Sequence, residues 1–352
     1  MKLGARWMSE VGGLVDGVVL RAMHIRAERD VPASRYDQRQ LLSEHTAFYA
    51  KLGDGLFPEP PTIAPAPSIE RRGGLPGKGE IVDLAWASGY QPFWERARAA
   101  YNAWEPNRRA CARLFRHARA PGERKRPLLV LVHGYGAGQF FIEERAFPVR
   151  WLYSLGLDVA LFTLPFHALR GGSGAPIWPS VNPTRTNEGF GQAIYDLRSL
   201  LRWLDPPQRA VAGMSLGGYT TSLLATIEPL DFACALIPVA SFPDLFWEHG
   251  EGRPERLRAE REGITLELLR AAMAVHTPLL RAPKVPPERM LVLAAAGDRI
   301  APPEHASRLA KHFGCRQETF AGGHILQVGR RHAFGTLAEQ LARLGLIAAR
   351  PQ

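Results

Sequence analysis

The stretch VAGMSLGGYTT (211–221) sets a serine, Ser215, in the middle of a glycine-rich run. The residues two before and two after it, Gly213 and Gly217, are both glycine. A serine that only fills buried space has no need of small neighbours at both positions. One presented on a tight turn between a strand and a helix does need them, because the crowded backbone would drive larger side chains into collision. The flanking letters fit that turn. RAVAGMS (209–215) reads as a buried strand, and the run after it as a helix closed by Pro229. The hydroxyl then stands at the carboxyl end of a strand, over a helix N-terminus that favours developing negative charge.

The same rhythm runs outward from this point. RPLLVLVHG (126–134), DVALFTLPF (158–166), FACALIPVA (232–240) and RMLVLAAAGD (289–298) are apolar runs of strand length, and CRQETFAGGH (315–324) reads as a last strand and turn. Helical periodicity fills the gaps between them. Strands buried on both faces and alternating with helices predict a mostly parallel sheet covered on both sides. The alternation breaks once, over 241–288, which is far longer than an ordinary connection and reads as a helical cap. The core domain is thus expected over 110–240 and 289–352, with residues 1–109 as a mostly helical N-terminal extension. Within that extension, helices are expected near 34–52 and 92–104. The proline- and glycine-rich piece 56–80 reads as an extended surface connector.

A serine at neutral pH needs a base, and the base needs an orienting group. His324 follows Gly322-Gly323 at the end of the last strand, and Asp298 directly follows the preceding one. Asp244, just after an earlier strand, is the rival acid. The backbone N–H groups of Leu216, next after the serine, and of Tyr135, in HGYGAG (133–138), are placed to receive an oxyanion. His133 in that segment reads as a structural hydrogen-bonder or a pocket residue. His167, in LPFHALRGG (164–172), lines the pocket or braces its loop. Phe242, Phe246 and Trp247 are either a pocket wall or the cap's own core.

Other chemistries find little support. The glycines of 134–138 have the wrong spacing for a dinucleotide fingerprint, and no acidic ribose ligand follows the next strand. No metal-ligand cluster or phosphate loop stands out, so neither cofactor nor metal is expected. The net charge is +10, yet the basic residues are interleaved with acidic ones and no nucleic-acid module appears. Three cysteines, Cys111, Cys234 and Cys315, form no framework and fit a reducing, cytoplasmic setting. The segment 7–23 is apolar but broken by Glu10 and Asp16. It reads as an amphipathic helix, docked on the protein's own body or in weak contact with a membrane surface.

From about 110 to 346 the chain resembles the α/β-hydrolases. The likeness is carried by the histidine–glycine segment 133–138, the Gly213-Met214-Ser215-Leu216-Gly217 elbow, Asp298 and His324. It implies an eight-stranded, mostly parallel sheet, no cofactor, and a small-molecule ester, thioester or amide substrate. The expected function is therefore serine hydrolysis, of carboxylesterase or lipase type, through an acyl-enzyme. Acyl transfer or C–C bond cleavage would use the same three side chains, and a non-catalytic binding protein could share the frame. Substrate identity and oligomeric state have no signature in these letters.

Overall fold

The apolar run Leu128–Val132 is buried at every position, as a strand with helices on both sides must be. The computed structural model describes residues 8–17, 38–61, 67–180 and 182–348. The strands are β1 (Ser68–Leu75), β2 (Gly79–Ala87), β3 (Arg109–Arg116), β4 (Leu128–Val132), β5 (Asp158–Phe162), β6 (Arg209–Met214), β7 (Phe232–Leu236), β8 (Met290–Ala295) and β9 (Arg316–Phe320). They form one nine-stranded sheet in the order β1-β2-β3-β5-β4-β6-β7-β8-β9. From β5 across to β9 all neighbours are parallel; β1, β2 and β3 join antiparallel. One apolar cluster covers each face of the sheet.

The chain moves from β4 outward to β5, then crosses back to place β6 on the other side of β4. Such a switch point opens a crevice at the carboxyl ends of the strands. Val132, the last residue of β4, pairs with Gly213 of β6. The turns after those two strands, 133–138 and the Ser215 elbow, therefore emerge side by side.

Two features differ from expectation. Among the described residues nine strands are present instead of eight, and segment 56–80 is more than a connector, because β1 and the start of β2 lie within it. Its signal was weak for a physical reason. β1 is an edge strand, largely exposed, with charged residues and an irregular register between Arg71 and Gly73. Those are the devices that blunt a sheet edge, and they erase the apolar alternation that marks a strand.

The expected helices near 34–52 and 92–104 are found at Gln38–Leu52 and Glu95–Asn102, residues 34–37 lying outside the described residues. Within 241–288 the chain forms helices Phe242–His249, Pro254–Arg261 and Leu266–Ala272. The last of these packs against Gln38–Leu52. The N-terminal part is bound to the core through Glu188, which is fully buried in the helix Pro183–Leu204. Its carboxylate accepts hydrogen bonds from Tyr49 Oη (2.8 Å), Tyr90 Oη (2.6 Å), Phe93 N (3.0 Å) and Trp94 N (2.9 Å). Four donors satisfy a buried charge that would otherwise be costly.

Segment 7–23 is helical over 8–17; residues 7 and 18–23 lie outside the described residues. Ser9, Gly12, Gly13 and Asp16 are its buried positions, spaced to share one helix face. That face docks on the protein's own body. Among the described residues, no helix is long and apolar enough to cross a membrane.

Candidate active site

Ser215 lies between β6 and the helix Leu216–Leu224, with φ +56° and ψ −113°. A non-glycine residue at positive φ is strained and persists only where its surroundings enforce it. The glycines on either side have clear roles. A Cβ on Gly217 would lie 2.1 Å from the Val132 carbonyl oxygen, and one on Gly213 would lie 2.2 Å from that of Gly217. Strand β4, β6 and the helix approach too closely for any side chain there.

His324 and Asp298 meet. Their Nδ1 and Oδ2 atoms are 2.6 Å apart, and both residues are buried. The other carboxylate oxygen of Asp298 accepts from Ile300 N (2.9 Å) and Ala301 N (2.8 Å), which fixes the carboxylate plane. A carboxylate on Nδ1 selects the tautomer with the proton there and leaves Nε2 as the basic nitrogen. The histidine loop is also tied to the elbow. Gln327 Nε2 donates to the His324 carbonyl oxygen (2.9 Å) and lies 4.0 Å from the sulfur of Met214, the residue before Ser215.

Asp244 is engaged elsewhere, with Arg270 at 2.7 Å and Arg308 at 2.6 Å. Burial opposes its ionisation, but the two guanidinium groups outweigh burial and hold its carboxyl below the usual range. Of the two acids considered, the geometry joins Asp298 to the histidine.

The 133–138 turn lies alongside the elbow, with the Cβ position of Gly134 3.6 Å from Ser215 Cβ. Tyr135 and Leu216 thus belong to the turns that follow two adjacent strands, β4 and β6. His133 is not a free base: its Nδ1 is 2.7 Å from the Gly134 carbonyl oxygen, and its Nε2 accepts from Leu164 N at 3.0 Å. Burial, with His167 nearby, lowers its pKa to about 3. It is a neutral brace between the turns after β4 and β5. A buried carboxyl that the sequence did not single out, Glu143, accepts the Gly138 N–H at 2.8 Å and steadies the same turn.

His167 is buried, with Nδ1 2.8 Å from the Pro165 carbonyl oxygen and its ring centroid 5.8 Å from that of Tyr135. Phe166 and Ala168 on either side have φ of +59° and +44°, so the loop holds this ring in place against backbone strain. Phe242 is a core residue, its ring 4.7 Å from Tyr219 and 5.6 Å from Phe190. Phe246 packs on Phe242, and Trp247 lies under the Arg256 guanidinium at 4.5 Å. A separate cleft of about 330 Å³, lined by Arg116, His117, Lys125 and Asp158 among others, opens at the amino ends of β4 and β5. It lies at the opposite edge of the sheet from Ser215.

No protein-family model matches the chain. An uncharacterized protein of Mycobacterium tuberculosis (strain CDC 1551 / Oshkosh), MT2702, is 29% identical over 329 residues, covering 88% of this chain and 76% of its own length. Among solved structures, an acetyl xylan esterase from Paenibacillus sp. R4 superposes with a TM-score of 0.56 at 15% identity, over 89% of this chain and 98% of that one. An S-formylglutathione hydrolase from Agrobacterium tumefaciens gives 0.53 at 14% identity, over 79% and 99%. The sheet order, the elbow at the switch point and these superpositions agree: the chain has the α/β-hydrolase fold.

Proposed function

We propose that the chain is a serine hydrolase that cleaves a carboxylic ester, or a related thioester or amide, by acyl transfer through Ser215. The observation that carries this reading is the 2.6 Å contact between His324 Nδ1 and Asp298 Oδ2, at the same sheet edge as a serine held at φ +56°. The solved structures that share the fold include an esterase and a hydrolase by name, which supports the same class of chemistry.

Ser215 Oγ attacks the substrate carbonyl carbon while His324 Nε2 takes its proton, giving a tetrahedral oxyanion and an imidazolium. Asp298 accepts from Nδ1–H and stabilises that charge. The N–H groups of Leu216 and Tyr135 receive the oxyanion. Collapse breaks the bond to the leaving group, which departs with the proton from Nε2 and leaves the acyl group on Ser215. Water, deprotonated by the same nitrogen, attacks the acyl carbon and restores the serine.

A panel of p-nitrophenyl esters of increasing acyl length tests the proposal. Wild type should release p-nitrophenolate with saturation, and Ser215→Ala should fall to the buffer rate. Equal release by both proteins would refute it.

A further inference from the structure

We propose that helix 8–17 is a clamp on the catalytic histidine and aspartate loops, and that Asp16 is a positioning residue for His324. This rests on the reading of His324 and Asp298 given above. Asp16 is fully buried, and none of its hydrogen bonds described here stays within its own helix. One carboxylate oxygen, Oδ2, accepts from His324 N at 2.7 Å and from Arg299 N at 3.1 Å; Oδ1 accepts from Ile325 N at 3.0 Å. A single side chain thus holds the backbone of His324 and that of the residue following Asp298, across 308 positions of sequence.

The fit around it is equally close. A Cβ on Gly12 would lie 2.2 Å from Gly323 N, and a Cβ on Gly297 would lie 2.0 Å from the Ser9 carbonyl oxygen. Ser9 Oγ accepts from Gly322 N at 3.2 Å, and Gly297 N donates to Gly322 O at 2.8 Å. Small residues at 9, 12 and 13 let the helix touch both loops backbone to backbone. The glycines that free the 321–324 turn from side chains would otherwise leave it conformationally loose. A buried carboxylate accepting three backbone N–H groups removes that freedom. Position errors of an ångström at a catalytic group cost about 10²-fold in rate, so the clamp acts on turnover more than on substrate binding.

The experiment compares wild type, Asp16→Ala, Asp16→Asn and, as a control on the helix's exposed face, Leu14→Ser. Two readouts are taken on full-length protein well below each variant's melting temperature. The first is kcat and KM for p-nitrophenyl acetate. The second, independent of activity, is the downfield proton resonance of the His324–Asp298 hydrogen bond, assigned by its loss in His324→Gln. The clamp predicts that kcat falls about 10²-fold in Asp16→Ala, with KM within about two-fold and the proton signal lost. Asp16→Asn, which keeps one acceptor, should fall between Asp16→Ala and wild type, and Leu14→Ser should match wild type. Folded Asp16 variants with wild-type kcat and an intact signal would overturn the proposal. Should wild type hydrolyse no ester, the function assigned above fails, and the proton signal alone decides: its loss in Asp16→Ala upholds the clamp, and its persistence overturns it.

Discussion

Asp298 and Asp244 both follow strands at one edge of the sheet, yet only Asp298 reaches the His324 ring, at 2.6 Å. Asp244 is held by Arg270 and Arg308. Exchanging each acid for its amide separates the two roles. Asp298→Asn should lower kcat about 10⁴-fold by favouring the wrong imidazole tautomer, while leaving the fold intact. Asp244→Asn should keep kcat within about two-fold but reduce stability by about 1–3 kcal/mol, because two ion pairs to a buried carboxylate are weakened. Kinetics and denaturant unfolding on both variants check this.

The elbow glycines are steric requirements. Gly217→Ala drives a methyl group to 2.1 Å from the Val132 carbonyl oxygen, and backbone cannot yield as a flexible side chain would. A loss of at least about 1–3 kcal/mol is expected, together with slowed labelling of Ser215 by a fluorophosphonate. Gly335→Ala is the contrasting control. It lies within the helix Arg330–Arg343 with no atom inside 4 Å of the added methyl. There the substitution should stabilise by roughly 0.5–1 kcal/mol. Urea melts of the two variants give opposite signs.

Glu188 ties the N-terminal segment to the core. Glu188→Ala strands two tyrosine hydroxyls and two backbone N–H groups that now share one carboxylate. Each buried donor left unpaired costs about 1–3 kcal/mol, so the variant should unfold at much lower denaturant. Limited proteolysis should then cut between 38 and 61 before the core is touched.

Acid should destabilise the fold through its buried histidines. Burial lowers the pKa of His133 and His276 to about 3, and of His45 and His305 to about 4. In the unfolded chain each titrates near the ordinary 6.5. Between those values the unfolded state holds more protons than the folded one, so stability is full above 6.5 and declines as the pH falls toward 4. Unfolding midpoints measured from pH 7 to pH 4 should drop monotonically. Replacing His45 by Gln, which keeps a polar side chain at Thr184 Oγ1 but cannot gain a proton, should flatten the slope.

How much could be read in advance follows from where each interaction keeps its information. Ser215 and Asp298 were legible because each follows an apolar strand run, and His324 because it follows a glycine pair after the last strand, where sheet topology brings strand ends together. Asp16 was not, because its partners are backbone N–H groups, which carry no letter. In sequence it reads only as a charge interrupting an apolar stretch. Glu188 was hidden in part for the same reason, since two of its four donors are backbone N–H groups, and it sits in a helix with other buried charges, Asp196 and Arg198, from which no pattern sets it apart. Strand β1 carries little signal because an exposed, charged edge suppresses the alternation that would mark it.

The central claim is that Ser215 is the nucleophile. The most direct measurement is fluorophosphonate labelling of folded protein, located by peptide mass spectrometry. The account predicts one adduct, on the peptide carrying Ser215, that disappears in Ser215→Ala and is slowed in His324→Gln. Absence of an adduct on folded wild type, or one that survives Ser215→Ala, would contradict it.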